Sequence, residues 1–60
     1  DASPYADVVS SLVGMGYDKR LVQQKVAELN EVFTNDSDFA AKSQKEREDI
    51  LFRRAIVELA

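Results

Sequence analysis

The side chains able to form or break bonds are few, and their setting removes most of the chemistry open to them. Ser3, Ser10, Ser11, Ser37 and Ser43 are hydroxyl nucleophiles in principle, but a serine attacks only when a neighbouring base takes its proton. The chain has no His to act as that base, and activation by lysine needs a desolvated pocket that a small core cannot spare. It has no Cys either, which removes thiol nucleophiles, Cys/His zinc sites and disulfides. Asp36-Ser37-Asp38 opens like a calcium loop, yet the sixth loop position is Ala41 where glycine is needed, and the twelfth is Arg47 where glutamate is needed. That segment reads as a solvated turn between helices. Gln23-Gln24-Lys25 and Lys45-Glu46-Arg47-Glu48-Asp49 have mixed polarity at helical spacing and read as solvated faces.

What remains is noncovalent chemistry, and it concentrates in Gly14-Met15-Gly16-Tyr17. A flexible thioether and an aromatic ring on a glycine-framed turn cannot both withdraw easily into a small core, so apolar surface should stay exposed there for a partner. A structural role is equally open. Tyr17 can act as a hydrophobic staple, with Asp18 as N-cap and Val22 as its N4 partner, while Met15 fills a gap between helices. The two roles are compatible, because one side of a loop can pack while the other binds.

Such a loop needs helices to hold it. Ser3-Pro4 reads as an N-cap followed by proline at the first helical position, which predicts a helix over 4–13. Tyr5, Val8, Val9, Leu12 and Val13 recur at helical spacing on one face, with Asp7, Ser10 and Ser11 turned away. Gly14 is expected to end this helix in a left-handed C-cap conformation. Asp18 caps a second helix over 18–33, whose apolar stripe is Leu21, Val22, Val26, Leu29, Val32 and Phe33. The turn-formers Thr34-Asn35-Asp36-Ser37-Asp38 should stop it near Phe33 or Thr34. Phe39-Ala40-Ala41 is either a short helical turn capped by Ser37 or Asp38, or a loop whose Phe39 is pinned into the core.

Ser43-Gln44-Lys45-Glu46 fits a capping box and opens a third helix over 43–59. Acidic Glu46, Glu48 and Asp49 come early and Arg53 and Arg54 later, an order that suits the helix dipole. Its core stripe is Phe52, Ala55, Ile56 and Leu59, with Leu51 flanking. Ile50 and Val57 fall on another face beside Arg53 and Arg54, and that face is expected to be exposed. No segment alternates with the period of a half-buried strand, and no internal repeat occurs. The prediction is all-α: one domain over 1–60, a compact three-helix bundle packed around Val9, Leu12, Val26, Leu29, Phe52, Ile56 and Leu59.

Composition narrows the function classes further. At 60 residues the chain hides only about 60% of the surface its unfolded form exposes, which leaves no room for a buried substrate chamber. An apolar fraction of 45% is too high for a wholly disordered chain. Eight basic against eleven acidic residues, a net charge of -3, argue against nucleic-acid binding, which needs a basic surface. No apolar run approaches the roughly 20 residues of a membrane span, so a membrane is not an expected partner. No enzymatic activity, metal or cofactor is expected. The first residue is Asp rather than Met, which suggests a segment of a longer protein. Absence of Cys is compatible with a reducing intracellular compartment.

With these residues in view, Leu12-Val13-Gly14-Met15-Gly16-Tyr17 and the helix start that follows it resemble the ubiquitin-associated (UBA) domain family. In that family the first helix leads into a Met-Gly-aromatic loop. Ala55-Ile56-Val57-Glu58-Leu59-Ala60 is similar to the family's third-helix ending, usually Ala-Val-x-x-Leu-Leu, so the resemblance covers residues 5–33 and 50–60. It implies a monomeric, intracellular UBA-like bundle that recognises the apolar patch of ubiquitin, or of polyubiquitin, without a covalent step. The contact residues it implies are Met15, Gly16 and Tyr17 from the loop, with Leu59 and Ala60 from the last helix. The sequence departs from the family in its long connection over 34–42, which is similar to that of the family's apoptosis-inhibitor branch, and in having Ala60 for the second leucine. Some UBA-like domains dock instead on another protein domain or a peptide. The face of Ile50, Arg53, Arg54 and Val57 would suit that role.

Overall fold

The computed structural model describes residues 5–60, and the Ser3-Pro4 helix start lies outside them. Four helices follow in chain order: α1 (Ala6–Gly14), α2 (Lys19–Thr34), α3 (Ser37–Ala40) and α4 (Gln44–Leu59). The long helices α1, α2 and α4 contact one another pairwise, and the short α3 rests on α2. No strand occurs among the described residues. The chain is a small all-α helical bundle with principal extents of 31 × 24 × 16 Å.

Local chemistry sets each boundary. Asp18 caps α2 by accepting the Leu21 N–H at 3.1 Å. Ser43 and Glu46 form both halves of the capping box on α4: Glu46 N–H donates to Ser43 Oγ at 3.2 Å, and Ser43 N–H to Glu46 Oε1 at 3.1 Å. Of the two readings open for Phe39-Ala40-Ala41, the helical turn forms, as a fourth element, α3. Its cap is Asp36 rather than Ser37 or Asp38, with Oδ1 accepting the Asp38 N–H at 2.9 Å and the Phe39 N–H at 3.4 Å. Phe39 is buried and stacks on Phe33 at a centroid distance of 5.0 Å, so α3 is fastened to the end of α2 by an aromatic pair.

The core consists of Tyr5, Val8, Leu12, Val22, Val26, Leu29, Phe39, Leu51 and Ala55, all apolar or aromatic, and no polar or charged residue is buried among the described residues. Its centre differs from the expected one. Leu12, Val26 and Leu29 are buried as predicted, whereas Val9, Phe52, Ile56 and Leu59 are half-buried around the rim. On α4 the inward line runs through Leu51 and Ala55, one turn apart, because this helix packs on α1 and α2 together and turns its middle inward. That rotation also draws Ile50 against the core, where an exposed position was expected, while Val57 stays 67% exposed. On α2 the buried line is Val22, Val26 and Leu29, continued by half-buried Phe33. Leu21 and Val32 lie roughly 80–100° to one side of it and are exposed.

Candidate recognition surface

The turn between α1 and α2 is built by a backbone motif. Gly16 N–H donates to Val13 C=O at 3.0 Å, and Tyr17 N–H to Leu12 C=O at 3.3 Å, the paired bonds of a Schellman motif. The residue that takes the left-handed conformation is Gly16, at φ 105, and not Gly14, which is the last residue of α1 itself. α1 ends at Gly14 as expected, but the left-handed conformation expected there falls two residues later, on Gly16. The hydrogen-bond pattern selects the residue after the C-cap Met15, and that residue is Gly16.

This geometry sends the two large side chains apart. Tyr17 is half-buried against the core cluster that also contains the fully buried Val22, as a staple beside the Asp18 cap requires. Met15 is 55% exposed, the outward half of the loop. The loop therefore combines a packed ring with an exposed thioether, as the compatible reading allowed. Leu59 is half-buried on the same core cluster as Tyr17, and Ala60 is exposed.

The end of α4 is tied to α2 by an ion pair across helices. Lys25 Nζ lies 3.3 Å from Glu58 Oε1 and 3.2 Å from Glu28 Oε1, and Arg54 Nε donates to Glu58 Oε2 at 3.0 Å. Hydrogen bonds to Glu28 and Glu58 hold the Lys25 ammonium above its ordinary pKa. At about 1.5 Å per residue, Lys25 stands roughly 10 Å along α2 from the Asp18 cap. Leu21 lies one helical turn before Lys25, toward the start of α2, and is 55% exposed. Reading residues 21–33 as one apolar stripe missed this. The signal available was the tighter line through Val22, Val26, Leu29 and Phe33, which leaves Leu21 and Val32 outside it.

The second face is only partly open. Val57, Arg53 and Arg54 are exposed, with Arg53 Nε 3.2 Å from Asp49 Oδ2, while Ile50 belongs to the core rim. Elsewhere, a groove of about 930 Å³ runs between α1 and α2, bordered by Val9, Ser10, Lys19, Gln23, Ala27 and Asn30. Among the described residues no group of three or more acidic or other metal-ligating side chains could hold a metal ion. No described helix is long and apolar enough to cross a membrane. Compared with known proteins, the chain matches no protein-family model, no curated protein and no solved structure.

Proposed function

We propose that this chain is a non-catalytic, UBA-like recognition module that docks a partner protein on Met15, Gly16 and Tyr17 together with Leu59 and Ala60 of α4. The apolar patch of ubiquitin, alone or in chains, is the partner the resemblance implies, and an intracellular location goes with it. The observation that carries the reading is the exposure of Met15, a large apolar side chain on a turn built by Gly16 at positive φ and anchored by half-buried Tyr17. Burial of such a patch needs no cofactor. An interface of this extent falls at or below the low end of the standard size range, so binding is weak and transient.

The experiment is an amide-resolved NMR titration of the isotope-labelled chain with monoubiquitin. Shifts at Met15, Gly16, Tyr17 and Leu59 in fast exchange are expected, and Met15→Ala should reduce them while leaving helicity intact. No shift at ubiquitin concentrations on the order of millimolar would remove ubiquitin as the partner.

A second reading is favoured by Val57, which is 67% exposed beside Arg53 and Arg54. In it the module docks on a protein other than ubiquitin through this part of α4. Val57→Lys places a cation in the last turn of the helix, where the dipole tolerates it, and should abolish that docking with Met15→Ala neutral. The reverse pattern would select the loop.

A further inference from the structure

We infer that Met15 is an oxidation site, and that its sulfoxide switches off the recognition surface while leaving the bundle folded. The inference rests on the recognition reading above and adds a regulation to it. Chemically, the chain offers a peroxide one ready target. It has a single methionine and no Cys, Trp or His, so the Met15 thioether is the side chain that a mild two-electron oxidant attacks first.

The setting leaves that sulfur open. Met15 is 55% exposed and belongs neither to the core nor to the apolar side chains packed against it. Its neighbours in the chain give no cover, since both are glycines, and a Cβ added at Gly14 or Gly16 would meet nothing within 4 Å. An oxidant therefore reaches the thioether without any opening of the fold. The turn itself is built from backbone groups that the reaction does not touch. Met15 N–H donates to the Ser11 and Leu12 carbonyls, Gly16 N–H to Val13 and Tyr17 N–H to Leu12. One side chain thus supplies contact surface while taking no share of the core packing.

In the step, a sulfur lone pair of Met15 attacks hydrogen peroxide, an S–O bond forms, the O–O bond breaks and water leaves. The sulfur loses two electrons and the peroxide gains them. A thiol-dependent sulfoxide reductase reverses it: two thiols become a disulfide, and the oxygen departs as water. The sulfoxide puts a polar S–O group where a partner's apolar surface has to sit. In the free chain that group is hydrated. Covering it with an apolar surface removes the water without returning a hydrogen bond, so oxidation penalises the complex and spares the fold.

The test is to treat the 60-residue chain with dilute hydrogen peroxide, locate the added oxygen by peptide mass spectrometry, and repeat the monoubiquitin titration beside a thermal melt. One oxygen is expected on Met15, added at a rate close to that of free methionine. The oxidised chain should bind about fivefold more weakly or worse, with a melting temperature within about 2 °C of the reduced chain's. Methionine sulfoxide reductase with a dithiol should restore the binding, and Met15→Leu should gain no oxygen under the same treatment. A Met15 that resists peroxide, a sulfoxide that binds as well as the thioether, or a melting temperature that falls together with binding would each overturn the switch and leave the recognition reading standing. Absence of shifts with the reduced chain sinks that reading, and the switch with it.

Discussion

Two glycines separated by one residue meet opposite demands, and this makes them a sensitive test of the loop. Gly14 is helical and Gly16 sits at φ 105; an added Cβ would find open space at either. Space is therefore not the deciding factor. Gly14→Ala should stabilise the chain by about 0.5–1 kcal/mol, because alanine loses less backbone freedom on entering a helix. Gly16→Ala should destabilise it by about 1–2 kcal/mol, because an L side chain crowds the backbone at positive φ. Urea denaturation of the two variants checks the pair, and equal effects would contradict the assignment of Gly16 as the turn residue. The same geometry explains why Met15 faces out: the Schellman bonds fix the backbone on either side of it, and Tyr17 takes the inward position.

Elements in a chain this short are held by their ends and by a few aromatic contacts. Phe39 is the main anchor of α3, buried at the end of α2 and stacked on Phe33. Phe39→Ala should cost about 3–5 kcal/mol, a large share of what a small domain possesses, so the chain should be substantially unfolded at room temperature. Circular dichroism at rising temperature reads this directly, and a loss below about 1 kcal/mol would mean that α3 is only loosely attached. At the start of α4, the Ser43 N–H and then the Ser43 hydroxyl hold the Glu46 carboxyl below its ordinary value of 4.5, with Lys42 adding to the effect. A depressed folded pKa contributes stability that is fully present above the unfolded value and is lost as pH falls through the folded one. The stability gap between the natural chain and Glu46→Gln should accordingly be visible at neutral pH and close below about pH 4.5. A gap that persists in acid would assign the effect to shape instead of charge.

At the scale of the whole molecule, stability is a matter of apolar packing, because every buried residue among those described is apolar or aromatic. The Lys25–Glu58 pair adds orientation. It crosses from α2 to α4, with Arg54 holding the other Glu58 oxygen, and so ties the last turn of α4 to the middle of α2. Partial exposure of both side chains makes the link sensitive to salt. A double-mutant cycle with Lys25→Met and Glu58→Gln should show favourable coupling at low ionic strength that shrinks at high salt; a salt-independent coupling would indicate packing by the lysine stem. The raised Lys25 pKa means that its contribution is complete below the unfolded value of 10.5 and is lost as pH rises through the higher folded one.

The three long helices, their caps at Asp18 and Ser43 and the end of α2 at Thr34 were legible in the sequence, whereas the short α3 and the inward Tyr17 were each one of two readings it left open. The legible features depend on contacts between residues a few positions apart, and the periodicity of apolar side chains reports such contacts directly. The exposed half of the loop was legible for the same reason, since a Met between two glycines has little local apolar surface to cover it. What periodicity does not contain is rotation about each helix axis. The choice of Leu51 and Ala55 over Phe52 and Ile56 as the centre of α4, the partial burial of Ile50, and the release of Leu21 and Val32 to the surface follow from how three helices divide one core. The Lys25–Glu58 pair and the Phe33–Phe39 stack belong to that same level, because each links helices whose relative placement no local pattern encodes. Short-range geometry is written in the order of residues; which of several apolar flanks is buried is decided only when the helices compete for the same interior.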